Sequence, residues 1–588
     1  MQKAHRRRPR KGPKNPKLED GPADIVFHGG DIYTIDDNQP KVEALAVKGE
    51  EILTLGPYQN IKSLIDTNTE VIDLKGKTLL PGFIECHQHA TLAASNRFLF
   101  TDIRAVGDDL QERDKAIVLE IISKEIAETD PSEDPLPWCI FFGWDIELIP
   151  DLPQLNAKEL DKLSTEIPIM VVAQNGHAAW VNHKTFEVCN ITSPDQCPPG
   201  GMYVVDENGE LTGMLLEEPA IMSIIKHHPI SPDMGIDVAK AVYDQWRFYA
   251  TRGYTTVTEL AYSTNPEMDQ ILSATAALHD CPIRLGLYVS ASHENEPQIQ
   301  ESSKLWVAGR KIWADGSPHC GTAAVKDPYL DTELTRQLAF PPPPPPPPIP
   351  DPPKCGILNW NDDELFQMVK KHHDAGRQIS IHAHGERAVD QGLNAYKQVM
   401  KPGDDHRHRF EHLGFVTEDQ IKVCGELGVV PSFFVHQLYY YGHTFSDHMF
   451  GAERTARWTP LATAMEHVGE DKISLHEDHP SFPGPPHAFA SIKSAVTRSH
   501  RHDPNRIFGK EYCITVDQAI KAYTIGPAYQ LFKEDEIGSL EVGKYADLLI
   551  VSANPYKIDP LKLDTDVKIV ETYIGGRRTN VQRLRKRI

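Results

Sequence analysis

The run Leu80-Pro-Gly-Phe-Ile-Glu-Cys-His-Gln-His89 ends an apolar stretch in two histidines spaced i, i+2. On a β-strand, residues two apart point the same way. His87 and His89 can therefore aim both imidazoles at one point beyond the strand's carboxyl end, as two ligands of one metal ion do. The competing reading is a pair of unrelated surface histidines, since the chain has 27 of them.

A hydrolytic metal site needs further ligands and a proton carrier. The same local pattern, a short apolar run ending in a chemically active residue, recurs along the chain. Gly309-Arg-Lys-Ile-Trp-Ala-Asp-Gly-Ser317 carries Lys311, and Gln378-Ile-Ser-Ile-His-Ala-His-Gly385 carries His382 and His384. His408-Arg-Phe-Glu-His-Leu413 carries His412, and Ile473-Ser-Leu-His-Glu-Asp-His479 carries Asp478. Each of these alone is more often a structural or surface residue than a ligand. Together they make an ordered series, His-x-His, Lys, His, His, Asp.

The sequence resembles the amidohydrolase superfamily, and within it amidohydrolase family 3, the YtcJ-like branch. The resemblance runs from about Ala23 to Arg578. It rests on Pro81-Gly-Phe-Ile-Glu-Cys-His-Gln-His89, Asp315-Gly-Ser317 with Thr322-Ala323, and His382-Ala-His-Gly-Glu-Arg-Ala388. Glu411-His412, the Asp478-His-Pro480 stretch and the tail motif Gly538-Ser-Leu-Glu-Val-Gly-Lys-Tyr-Ala-Asp547 complete it. Three positions depart from the family pattern: Glu85 and Glu386 stand where Asp is usual, and Glu477 where Ser is usual.

The resemblance implies a hydrolase of non-peptide, amide-type C–N bonds, such as those of N-acyl or N-formyl compounds. One or two divalent metal ions per chain, zinc by expectation, would activate water. His87 and His89 would hold the first ion, His382 and His412 the second. A charged lysine has only donors and cannot ligate. Lys311 would bridge the ions as a carbamate; the alternative is a plain lysine paired with Asp315 or with substrate. Asp478 would touch metal and shuttle the proton from water to the leaving nitrogen. His177 matches a substrate-facing position of the family, against a bland reading in which it packs beside Trp180. His436 matches a histidine of the related subgroup and would polarise the carbonyl or bind substrate, against a reading as a histidine of an aromatic-rich loop. Alternatives in function are a deaminase or esterase on the same metal platform, or a non-catalytic barrel that binds a partner.

The elements that must carry these residues are those of an α/β protein. Strand-like runs alternate with helix-like ones, such as Asp362-Glu-Leu-Phe-Gln-Met-Val-Lys-Lys-His-His before His382, which implies a parallel sheet. Eight such units close a (β/α)8 barrel, whose sites lie at the strands' carboxyl ends. The barrel is assigned to residues 80–532. Residues 23–79 and 533–580 read as strands of one small β-sandwich. A subdomain inserted after the first barrel strand covers about 125–235. Trp138, Trp144, Trp180 and Tyr439 to Tyr441 hint at an apolar or aromatic ligand, and core packing explains them equally well. Residues 341–353 form a proline-rich loop, either a stiff lid or a polyproline ligand. Residues 1–22 read as a disordered basic tail.

Composition narrows the classes. With 588 residues the chain exceeds one ordinary domain. A net charge of −22 disfavours nucleic acid as the main partner. The 9 cysteines contain no C-x-x-C pair and read as reduced thiols of a cytoplasmic protein. No apolar run approaches the roughly 20 residues of a membrane span, and no apolar stretch follows the basic start as a secretory signal would require. The expected partner is a small-molecule substrate, with homodimerisation open.

Overall fold

The computed structural model describes residues 21–229, 238–338, 354–401 and 403–579. The proline-rich segment 341–353 and nearly all of the basic tail lie outside the described residues.

Eight parallel strands form the central sheet: Phe83–Gln88 (β1), Tyr254–Tyr262 (β2), Arg284–Ser290 (β3), Leu305–Trp313 (β4), Ile379–Ala383 (β5), Arg409–His412 (β6), Val430–Phe433 (β7) and Ser474–Leu475 (β8). Each pairs with the next in sequence. This is the expected TIM-like barrel. Strands such as β1 and β3 are buried along their whole length, as parallel strands sheathed by helices must be.

The barrel closes between β8 and β1. The Cys86 thiol donates to Ser474 Oγ at 3.0 Å, and the Asp478 N–H donates to the His87 carbonyl at 3.2 Å. The His89 N–H donates to the carbonyl of His479 at 3.0 Å. These bonds at the seam set the loop after β8 against the end of β1.

The helices follow from their own signals. Asp362–Asp374 opens on a capping box between Asn361 and Glu364, with acidic residues in its first turn and basic ones in its last. Leu365, Val369 and His372 recur on one side and are buried. Glu386–Val399 begins directly after Gly385, where a Cβ would lie 2.0 Å from the Ala324 carbonyl oxygen. Only glycine lets β5 turn into its helix so close to the loop after β4.

Strands from both ends of the chain build a second sheet. Leu548–Val551 pairs antiparallel with Thr78–Pro81, joining the two ends. Ile25–Tyr33 branches the sheet, taking Lys41–Lys48 on one side and Glu70–Asp73 and then Thr78–Pro81 on the other. The strands thus hydrogen-bond as one branched sheet drawn from both ends of the chain.

Between β1 and β2 lies a six-stranded sheet spanning Thr101 to Leu216. It starts earlier than the expected residue 125, because Thr101–Asp102 pairs parallel with Cys139–Trp144. Alternation along Cys139–Trp144 sends Phe141 into one core with Val118 and Ile122, and Ile140 and Phe142 into another with Phe186 and Leu215. Among the described residues no helix is long and apolar enough to cross a membrane.

Asp547 ties the terminal sheet to the barrel. Arg284 of β3 donates Nε to Asp547 Oδ2 at 2.7 Å and Nη2 to Oδ1 at 3.0 Å, and the Gly575 N–H adds a third bond at 2.8 Å. Both charges are buried. Removing one partner of such a pair strands the other without water, at a cost of about 3–5 kcal/mol. Asp547→Ala should therefore unfold at a clearly lower urea midpoint than the parent; an unchanged midpoint would contradict this assignment.

Candidate metal centre

At the carboxyl ends of the barrel strands a group of imidazoles surrounds one carboxylate. Asp478 Oδ1 lies 3.5 Å from His87 Nε2 and 3.2 Å from His89 Nε2, and Oδ2 lies 4.0 Å from His412 Nδ1. Lys311 Nζ is 3.5 Å from His87 Nε2. Ring centroids of His412 stand 4.6 Å from His87, 4.4 Å from His382 and 4.6 Å from His384. His177, on the inserted subdomain, stands 5.2 Å from His382.

Buried carboxylates fix several of these rings. His87 Nδ1 donates to Glu411 Oε2 at 2.8 Å, and His382 Nδ1 to Asp315 Oδ1 at 3.1 Å. His89 Nδ1 faces Glu259 at 3.6 Å, and His177 Nδ1 pairs with Glu217 at 2.6 Å. A ring that donates from Nδ1 turns the lone pair of Nε2 inward, which is how a carboxylate prepares a histidine to bind metal. Glu411 is held in turn by the Arg409 guanidinium and by Ser380 Oγ at 2.7 Å. Asp315 accepts the N–H groups of Ala324 and Gly385 at 2.9 and 2.8 Å.

Titration follows this packing. Burial, with the Lys311 charge adding to it, holds His87 well below the usual imidazole range. Burial also holds His382, His384 and His412 far down and presses His476 to about 3. These rings stay neutral, the form that ligates. For His89 burial acts downward but is outweighed by Asp478 and Glu259, which lift it to about 9. Burial lowers Lys311 to about 8 against the pull of Glu411 and Asp478.

The residues fit a metal ion. Both nitrogens of His412, both of His476 and Nδ1 of His384 are buried and have no hydrogen-bond partner. Leaving such groups unsatisfied costs about 1–3 kcal/mol each, and a cation removes the cost. Three sets of donor atoms converge here: His87, His89 and Asp478; His382, His384 and His412; and His87, His412 and His476. The backbone is strained at two of the donors, with φ of 73° at His412 and 57° at Asp478.

The structure thus brings together His87, His89, Lys311, His382, His412, Asp478 and His177. It does not bring His436 to them. The chain leaves β7 at Phe433 and turns into the helix Gln437–Thr444, so the His436 ring stacks on Tyr439 at 5.0 Å. Phe434 and Phe482 stand between that ring and His476. Sequence reasoning assigned no role to Glu217, Glu259 or Glu411. The signal for the last two is an acidic residue inside a barrel strand that is buried nearly throughout.

Comparison with known proteins agrees with this architecture. The sequence profile of the amidohydrolase family matches residues 70–579, and the chain belongs to that family. It is 27% identical to a putative amidohydrolase, YtcJ, of Bacillus subtilis, over 94% of this chain and 98% of the relative. It is 23% identical to the N-substituted formamide deformylase of Arthrobacter pascens, over 94% of this chain and 97% of that one. Among solved structures it is similar to an uncharacterised metal-dependent hydrolase from Pyrococcus horikoshii, with 21% identity and a TM-score of 0.65, covering 91% of this chain and 99% of that one.

Disturbing a carboxylate that orients a metal-binding histidine typically costs 10–100-fold in affinity. Glu411→Gln should weaken zinc binding by about that factor, measured by competition with a chromophoric chelator. Parental affinity in a folded variant would argue against the inward-facing Nε2 of His87 as a ligand atom.

Proposed function

We propose that the protein is a metal-dependent hydrolase of a non-peptide, amide-type C–N bond, such as that of an N-acyl or N-formyl amine. The observation that carries this reading is the Asp478 carboxylate set among His87, His89 and His412. The donor sets around His87, His89 and Asp478 and around His382, His384 and His412 suit zinc, which favours imidazole and carboxylate ligands. When bound, the metal supplies Lewis acidity, lowering the pKa of water towards about 7 and polarising a carbonyl.

The chain's own residues do the rest. Asp478 takes the proton of the attacking water and passes it to the departing nitrogen, because it stands among the groups that gather both. His177, kept protonated more readily than a buried histidine because Glu217 outweighs its desolvation, donates to oxygen or nitrogen of the substrate. Lys311, its ammonium destabilised by burial, forms a carbamate: its neutral nitrogen bonds the carbon of CO2 and loses one proton. The deformylase activity for which the Arthrobacter relative is named lends support to an N-formyl amine as substrate. The nine free thiols fit a cytoplasmic setting.

Product analysis on a panel of N-formyl and N-acetyl amines tests the reading. The expected products are a carboxylate and an amine in equal amounts. Ammonia released from a ring or amidine carbon would reassign the protein as a deaminase, and an alcohol released from esters alone would make it an esterase. Asp478→Asn should lower kcat by about 10²–10⁴-fold, the range for loss of general acid–base catalysis, with the circular-dichroism spectrum unchanged. Turnover within threefold of the parent would remove Asp478 from this role.

A further inference from the structure

Trp313 is the last residue of β4 and stands at the catalytic end of the barrel. Lys311, two residues earlier, reaches to 3.5 Å from His87 Nε2, so its side chain points into the barrel. Alternation along the strand sends Trp313 to the same side, about 6–7 Å nearer the mouth. Ile312, between them, lies in the hydrophobic core. β4 and β5 pair Trp313 with His382, whose ring belongs to the histidine cluster. Neighbours along the strand and across it therefore place the indole beside the candidate metal centre.

Its packing is unlike that of the other tryptophans. The chain has 8 of them, and the other seven lie in or against the hydrophobic clusters. Trp313 joins none of those clusters among the described residues, and it is half-buried. Lys311 Nζ lies 5.5 Å from its ring centroid, so the ring leans back over the residue nearest His87. The backbone beneath it is firmly held. Its carbonyl accepts the indole N–H of Trp360 at 2.8 Å, and the next N–H, of Ala314, donates to the His382 carbonyl at 3.0 Å. A large apolar surface is thus fixed at the site without a core to pack against, and a ligand that covered it would recover the free energy of burial.

We propose that Trp313 is an aromatic platform of the substrate site, and that the substrate carries a flat aromatic ring beside the bond that is cleaved. The second half of this rests on the hydrolase reading above. An indole gains from an offset-stacked or edge-on ring beyond what burial of the same area gives. An aliphatic substituent gains the burial alone.

Hydroxamates chelate a bound metal through two oxygens and set their substituent next to it, which makes them direct probes of this position. Acetohydroxamate, cyclohexanecarbohydroxamate and benzohydroxamate are titrated calorimetrically into the full-length, metal-loaded protein. Benzohydroxamate should bind about tenfold more tightly than acetohydroxamate and about threefold more tightly than the cyclohexane analogue. Trp313→Ala should shrink the first advantage to about twofold or less and leave acetohydroxamate at its parental affinity, whereas Trp313→Phe, which keeps a ring, should retain most of the advantage. No aromatic advantage in the parent, an advantage that survives Trp313→Ala, or loss of acetohydroxamate binding in that variant would overturn the proposal. Acetohydroxamate has no ring and reports on the metal centre alone. If it fails to bind the parent, the metal centre falls and this inference falls with it. The titration requires no turnover, so its result is separate from the hydrolase reading, which product analysis decides.

Discussion

The structure depends on one constraint: several neutral imidazoles are buried side by side with their lone pairs turned towards a common space. Water would normally satisfy such nitrogens, and burial removes it. Carboxylates behind the rings, Glu411 for His87 and Asp315 for His382, fix one nitrogen of each and leave the other aimed inward. His412 and His476 have no such partner at either nitrogen. The arrangement is costly as a packing solution and sensible as a receptacle for a cation.

The barrel serves that constraint. Parallel strands deliver His87, Lys311, His382 and His412 to one end, and closure between β8 and β1 sets Asp478 against the first histidine pair. The left-handed backbone at His412 and Asp478 is tolerated because hydrogen bonds on either side hold both residues. One is the Asp478 N–H on the His87 carbonyl, the other the Phe434 N–H on the His412 carbonyl. The inserted sheet then covers this end, bringing His177 to His382.

Much of the site was legible in the sequence because strand geometry is simple. His87 and His89 are two apart on a strand, and the other donors each end an apolar run, so a parallel barrel must gather them. His436 follows a similar run but turns away, since the chain enters a helix at once and the ring finds Tyr439. Glu259 was not singled out and Glu411 was given no role, because a reading that follows ligands does not ask what lies behind them. The insert's first strand has two residues, too few for alternation to reveal. The branched pairing of Ile25–Tyr33 is invisible locally, because it depends on two partners that bind successive halves of one strand.

Metal content per chain, determined by elemental mass spectrometry on protein purified without chelators, tests the central claim most directly. The account predicts about one or two divalent ions per chain, in keeping with mononuclear or paired hydrolytic sites, with most of the metal lost in His87→Ala. Protein that carries no metal and takes up none when zinc is added would contradict it.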